Sequence, residues 1–308
     1  VVGARQGVPG QWGPGAAYVF LRSGTTWTQQ AILTATGGAP NDDLGVSVDL
    51  QGDTLVVGAD REGKKPGCAY VFQRTGTTWS QVATLTPSVS TADRFGFAVA
   101  LDGDRIVVGA HQTSIGGVNS AGAAHLFRRS SGGWTTTNQE DCKLTAGDAA
   151  ALDEFGFSVD VRGDTIVVGA RNADLLGHPT TDNHGAAYLF VDDGTNCTQQ
   201  AKITASDGQP GDRFGVSSAL GQDLVVVGAS QPNIGAVCVG RAYVFSRTGT
   251  AWSELARLSP GDVVAGDTFG SSVAISGTTI AVGAVVDDVA GLTDAGSAYV
   301  FTPEAGPV

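Results

Sequence analysis

The chain repeats itself. A hydrophobic tetrapeptide ending in Gly-Ala occurs six times, as VVGA at 1–4, 56–59, 107–110, 167–170 and 226–229 and as AVGA at 281–284. Its glycines stand at 3, 58, 109, 169, 228 and 283, so successive copies lie 55, 51, 60, 59 and 55 residues apart. A period of this size means one supersecondary unit used repeatedly, and it constrains the fold before any single residue is weighed.

Four short elements recur in each full unit. Element A is LGVSVDL from 44, FGFAVAL from 95, FGFSVDV from 155, FGVSSAL from 214 and FGSSVAI from 269. Element B is the Gly-Ala segment, and element C is AAYVF, CAYVF, AAHLF, AAYLF, RAYVF or SAYVF. Element D begins at Trp27, Trp79, Trp134, Cys197 and Trp252. Each is four to eight residues of Val, Phe, Tyr and Thr between Gly, Asp, Pro and Ser, the pattern of short strands. Element A alternates large and small residues, so one face can stack on a copy of itself. Element B is apolar without alternation and is expected to be buried on both faces.

Four short antiparallel strands per unit in six tandem units describe an all-β fold, a β-propeller of four-stranded antiparallel blades. A solenoid of stacked sheets competes, and the repeat length favours the propeller. The chain reads as one propeller domain, 1–308, with units at 1–43, 44–94, 95–154, 155–213, 214–268 and 269–308. Unit one lacks an A strand and unit six a D strand, which leaves 22 strands. The six visible units are either six blades or part of a seven-bladed ring. With no Met and no signal segment in VVGARQG, the sequence is expected to be a processed or excised piece of a longer product.

These units resemble FG-GAP repeats. The Phe-Gly pairs at 95–96, 155–156, 214–215 and 269–270, each followed by V-G-A, carry the resemblance, and it spans nearly the whole chain. It implies a propeller similar to those of bacterial secreted and surface proteins, and more distantly to integrin α-subunits. Integrin-like relatives imply calcium in expanded A–B loops. Calcium takes 6–8 oxygen ligands, and turns such as LQGDT and ISGTT are too short to supply them. No cofactor is assigned on this basis.

Spacing separates the two rims. From the FG glycine to the GA glycine the distance is 13 residues in all five pairs, and from the C-strand Phe to the start of element D it is 7 in all five. The B–C connection varies instead, from 12 (58→70) to 19 (169→188) between the GA glycine and the Tyr position. Fixed tight turns set register, whereas loops of varied length carry specificity. Arg162-Gly163-Asp164, an adhesion-like tripeptide, falls in a fixed A–B turn where other units have Gln51-Gly52-Asp53 and Asp102-Gly103-Asp104. It reads as hairpin chemistry.

Binding is therefore expected on the B–C/D–A rim, with Trp12, His111, His178, Asp182 and His184 as candidate residues. Trp12 is the Trp outside the repeated position and suits stacking on a sugar ring or a protein anchor. His178, Asp182 and His184 share the longest B–C loop and could ligate a divalent ion, or simply form a polar surface. An Asp stands two residues before every Phe-Gly or its equivalent (42, 93, 153, 212, 267), which reads as a local turn cap. A net charge of −12 disfavours nucleic acid. No apolar run approaches the roughly 20 residues of a membrane helix.

No G-x-S-x-G, P-loop or H-E-x-x-H motif occurs, and the sequence reading is of a non-catalytic extracellular or cell-surface protein that binds glycan or protein. A structural spacer within a larger surface protein or assembly is the alternative. The four cysteines, 68, 142, 197 and 238, include no C-x-x-C pair, and their pairing is open.

Overall fold

A computed structural model gives the fold. It describes residues 1–5, 13–38, 42–60, 66–89, 93–174, 182–230, 240–262, 266–289 and 291–303. The described residues form six antiparallel sheets and no helix. The first holds β1 (Val2–Ala4), β2 (Ala16–Ser23) and β3 (Thr26–Leu33), and the second β4 (Val48–Gln51), β5 (Thr54–Ala59), β6 (Cys68–Thr75) and β7 (Thr78–Leu85). The third holds β8 (Phe95–Asp102), β9 (Arg105–Ala110), β10 (Ala123–Arg128) and β11 (Cys142–Leu144). The fourth holds β12 (Phe155–Arg162), β13 (Thr165–Ala170), β14 (Ala186–Asp192) and β15 (Cys197–Ile203). The fifth is β16 (Phe214–Leu220), β17 (Leu224–Ala229), β18 (Arg241–Thr248) and β19 (Ala251–Leu258), and the last β20 (Phe269–Ser276), β21 (Thr279–Ala284) and β22 (Ser297–Phe301).

Every sheet is a meander in sequence order, the arrangement of a propeller blade. The chain divides into two compact units, Val1–Thr145 with the first three blades and Ala146–Val308 with the last three. Within each, the B strands are the core: β5, β9, β13 and β17 are buried along almost their whole length. Their unbroken Val/Ile runs have apolar neighbours on both faces, as expected of element B.

The FG phenylalanine closes each core from above. Phe155 stacks edge-on against Tyr188 at 5.4 Å and Phe190 at 5.9 Å, and Phe214 meets Tyr243 and Phe245 in the same way. In the third blade His125 takes the Tyr place, 5.3 Å from Phe95. Such edge-to-face pairs each add about 0.5–1.5 kcal/mol beyond their buried area.

The glycines have a different task. A Cβ on Gly169 would stand 2.0 Å from the carbonyl oxygen of Gly215 in the next blade, and one on Gly58 would stand 1.9 Å from that of Gly96. The GA of one blade thus lies directly on the FG of the next, main chain against main chain. The serine two residues beyond FG closes this seam: Ser158 Oγ donates to Gly215 O and Ser217 Oγ to Gly270 O, both at 2.9 Å. Carboxylates in the A strands add a second tie, since Asp160 Oδ2 accepts from Leu220 N at 2.6 Å and Asp49 Oδ2 from Leu101 N at 2.7 Å. The repeated motif is therefore a blade-to-blade joint. Cys142 and Cys197 are each disulfide-bonded, Cys68 is buried in β6, and Cys238 lies outside the described residues.

Candidate functional site

The A–B/C–D rim is made of hairpins. Arg162 pairs with Thr165 across a two-residue turn, Gly163 takes φ of 58°, and the Asp164 carbonyl accepts from Asp192 N at 2.8 Å. Asp53, Asp104 and Asp223 make the same bond, to Arg74, Arg129 and Arg247. The Arg-Gly-Asp tripeptide is one instance of this turn, and its Asp fastens the end of the C strand.

The opposite rim carries the strain and the buried polar groups. All nine described non-glycine residues with positive φ lie there: Asp43, Arg94, Leu152, Glu154, Arg213 and Thr268 in D–A loops, and Ser120, Asn183 and Asp294 in B–C loops. Non-glycine residues adopt this region at a cost, and such residues gather where surrounding structure over-determines the backbone. Five of the six D–A residues directly precede the FG position, so there the geometry belongs to the repeat.

What differs between blades is the side chain placed on that frame. Phe155 pairs with Ala170, so Glu154 and Arg171 leave the fourth blade side by side. Arg171 Nε lies 2.6 Å from Glu154 Oε2, and its guanidinium rests 3.8 Å over the Phe157 ring. About a quarter of the arginine side chain remains exposed. In the third blade Phe95 pairs with Ala110, which places Arg94 beside His111. The His111 ring packs on Phe97 at 4.4 Å, and Arg94 turns to the fully buried Asp60 at 3.0 Å. Thr113, two residues on, is buried, and its hydroxyl has no hydrogen-bond partner.

These two blades alone begin FGF, and the second phenylalanine is the platform in each. His111 is one of the candidates named from the sequence. Asp60, Arg94, Glu154 and Arg171 were not singled out, although the FGF pair and the residue following each Gly-Ala were the available signal.

In the fourth and fifth blades the Asp two residues before FG caps its own loop, as the sequence indicated. Asp153 Oδ2 accepts from Ala150 N and Asp212 Oδ2 from Gln209 N, both at 2.7 Å. Burial pushes Asp153 up to about 6, assisted by the nearby Asp174 and Asp148 and opposed by its backbone bond and Lys202. Its folded value exceeds the unfolded one near 3.8, so the resulting stability is present below pH 4 and lost as pH rises through 6. Asp153→Asn, which keeps an acceptor for Ala150, is expected to raise stability by about 1 kcal/mol at pH 7 and to leave it unchanged at pH 4. Urea melts at the two pH values check this.

Of the remaining candidates, Asp182 and His184 act through their backbones. Asp182 O accepts from Gly211 N and His184 O from Phe214 N, tying the end of a B–C loop to the following D–A loop. The His184 side chain is buried. His178 and Trp12 lie outside the described residues. Among the described residues no three His, Cys, Asp or Glu side chains converge as a metal-ligand set.

The blade order and the glycine seam define a β-propeller of tandem repeats. The FG-GAP repeat pattern matches residues 27–72, 79–127, 139–190, 197–245 and 252–301, and the chain belongs to that family. No curated protein sequence matches it significantly. Among solved structures it is similar to the periplasmic gluconolactonase PpgL of Pseudomonas aeruginosa, at TM-score 0.57 and 14% identity, over 91% of this chain and 74% of that one. It is also similar to a protein from Lactobacillus plantarum, at TM-score 0.55 and 15% identity, over 97% and 80%. At such identities the likeness is one of fold.

It nevertheless corrects the expectation of a non-catalytic chain. A structure sharing this fold is a gluconolactonase, and the absence of familiar catalytic motifs was the only ground for that expectation. Propeller rims host chemistry through residues scattered over separate blades, which a search for contiguous motifs does not see.

Proposed function

We propose that this chain is an extracellular or periplasmic propeller that binds a glycan or protein ligand through its B–C/D–A rim. The carrying observation is Arg171, a guanidinium fixed by Glu154 and Phe157 with a quarter of its side chain open to solvent. A planar donor held in this way loses little entropy on meeting a carboxylate or paired hydroxyls. Arg94, paired with Asp60 and about a quarter exposed, is a second guanidinium on a D–A loop, in the other unit. Disulfide linkage at Cys142 and Cys197 supports an oxidising compartment.

The test is binding to an array of neutral and uronate-containing oligosaccharides and acidic peptides. Arg171→Gln and Phe157→Leu are expected to weaken the captured ligand about tenfold or more, while Arg162→Ala in the hairpin rim has no effect. Loss through Arg162 alone would sink the rim assignment, and no capture at all would favour a spacer. Glucono-1,5-lactone in a pH-stat adds a second readout: acid release above the buffer rate that Arg171→Gln removes would make the rim catalytic as well.

A further inference from the structure

Each seam between blades ends at the B–C/D–A rim in the same two positions. One is the residue after Gly-Ala; the other is the residue before Phe-Gly (Leu-Gly in the second blade) of the next blade. Within Val1–Thr145 the pair carries opposite charges twice: Arg5 lies 3.4 Å from Asp43, and Asp60 3.0 Å from Arg94. Between the fifth and sixth blades it is neutral, Ser230 and Thr268. Between the fourth and fifth blades it is Arg171 and Arg213, two like charges.

The main chain is set alike at these seams. Asp43, Arg94 and Arg213 take φ of 56°, 63° and 54°, and the carbonyl of each accepts from the residue three further on, Val46, Phe97 and Val216. A Cβ on Gly45, Gly96 or Gly215 would stand 2.8, 3.0 or 3.2 Å from the main-chain nitrogen of Ala4, Ala59 or Ala170. Arg213 is thereby seated against Arg171 as Asp43 is against Arg5 and Arg94 against Asp60.

Glu154 holds Arg171 from its own blade, and only through Nε. The two Nη groups of Arg171 and the whole Arg213 guanidinium have no hydrogen-bond or ion-pair partner among the described residues. Both arginines are partly exposed. The nearby carboxylates are turned into their own loops: Asp153 accepts from Ala150 N, Asp212 from Gln209 N and Asp174 from Asn183 N. Two guanidiniums against one glutamate leave a single positive charge where the seams of the first unit are balanced. Like charges seated side by side repel, and an anion between them removes that cost.

We infer that the Arg171–Arg213 seam binds one carboxylate, that of a uronate sugar. The inference rests on the rim reading above and narrows its ligand. Planar guanidiniums match a carboxylate's two oxygens. Glu154 Oε1, which accepts nothing among the described residues, takes a hydroxyl donor from the same ring. A carboxylate with hydroxyls beside it is a sugar acid rather than an acidic peptide. One surplus charge on a chain of net charge −12 suits a monoanion better than a phosphate dianion.

The arginine Nε–H resonances in ¹H–¹⁵N spectra give the test, assigned from Arg171→Gln and Arg213→Gln. The probes are the methyl glycosides of glucuronic and galacturonic acid, their neutral counterparts methyl glucoside and methyl galactoside, N-acetylaspartate amide and inorganic phosphate. At least one uronate is expected to shift the Arg171 and Arg213 signals saturably, with affinity on the order of millimolar, and its neutral counterpart to bind at least about tenfold more weakly. Arg213→Gln is expected to weaken the uronate about fivefold. Arg213→Asp rebuilds the opposite-charge pair of the first seam, so it is expected to leave the protein folded and to abolish the response. No saturable shift up to about 100 mM uronate, an equal response to the neutral glycoside, the aspartate amide or phosphate, or undiminished binding in Arg213→Asp would overturn the assignment. A neutral oligosaccharide captured on the array and lost in Arg171→Gln would overturn it while leaving the rim reading in place.

Discussion

Gly169→Ala is expected to destabilise the protein by at least about 3 kcal/mol. The added methyl would stand 2.0 Å from Gly215 O and 2.3 Å from Ser158 Oγ, and the first of these is main chain that cannot rotate away. Relief requires separating two blades along the whole A–B seam, which breaks the Ser158 to Gly215 bond as well. Gly163→Ala is the control. It has a positive φ of 58° but nothing within 4 Å of its Cβ, so its cost is the backbone term alone, about 1 kcal/mol. Urea denaturation of the two variants separates them, and equal losses would refute the seam as the main joint.

Glu140→Gln should produce the second large effect, about 1–2 kcal/mol at pH 7. Glu140 bridges three groups: Ser88 N at 2.9 Å, Ser88 Oγ at 2.8 Å, and the buried His125, whose Nδ1 lies 3.3 Å away. Burial alone would raise its carboxyl, but the His125 ring beside it and the bonds from Ser88 outweigh it and hold the group at about 2, against 4.5 unperturbed. Because the folded value is the lower one, the contribution is complete above pH 4.5 and fades as pH falls to 2. The gap between wild type and variant should close over that interval. Gln81 and Gln199 cap the equivalent loops with neutral amides, to Thr36 N and Gly147 N at 2.9 Å, so the substitution itself fits the blade. A gap that persists at pH 2 would mean the charge is not what stabilises.

The blades were legible because their signals are local and repeated six times. Val-Val-Gly-Ala must be buried on both faces, and Gly-Asp between two β-branched runs must turn. The rim was legible only as a place. Arg171 and Glu154 are seventeen positions apart in a loop-rich sequence, and only the Phe155–Ala170 register makes them neighbours. The serine in FG-x-S was read as a small residue for stacking, and its bond to the next glycine carbonyl needed the packed pair.

The glycine joint also bears on how such a chain changes over time. Its complementarity is written in main-chain atoms, the lack of two side chains and, except at Ala98 in the third blade, one hydroxyl, so the units present nearly the same socket and plug. Loops can lengthen, as in the third blade, and rim residues can be exchanged without retuning the neighbours. A unit copied from one place within 155–301 to another there should seat without redesign, making this a scaffold whose parts are interchangeable while their faces to the ligand are not.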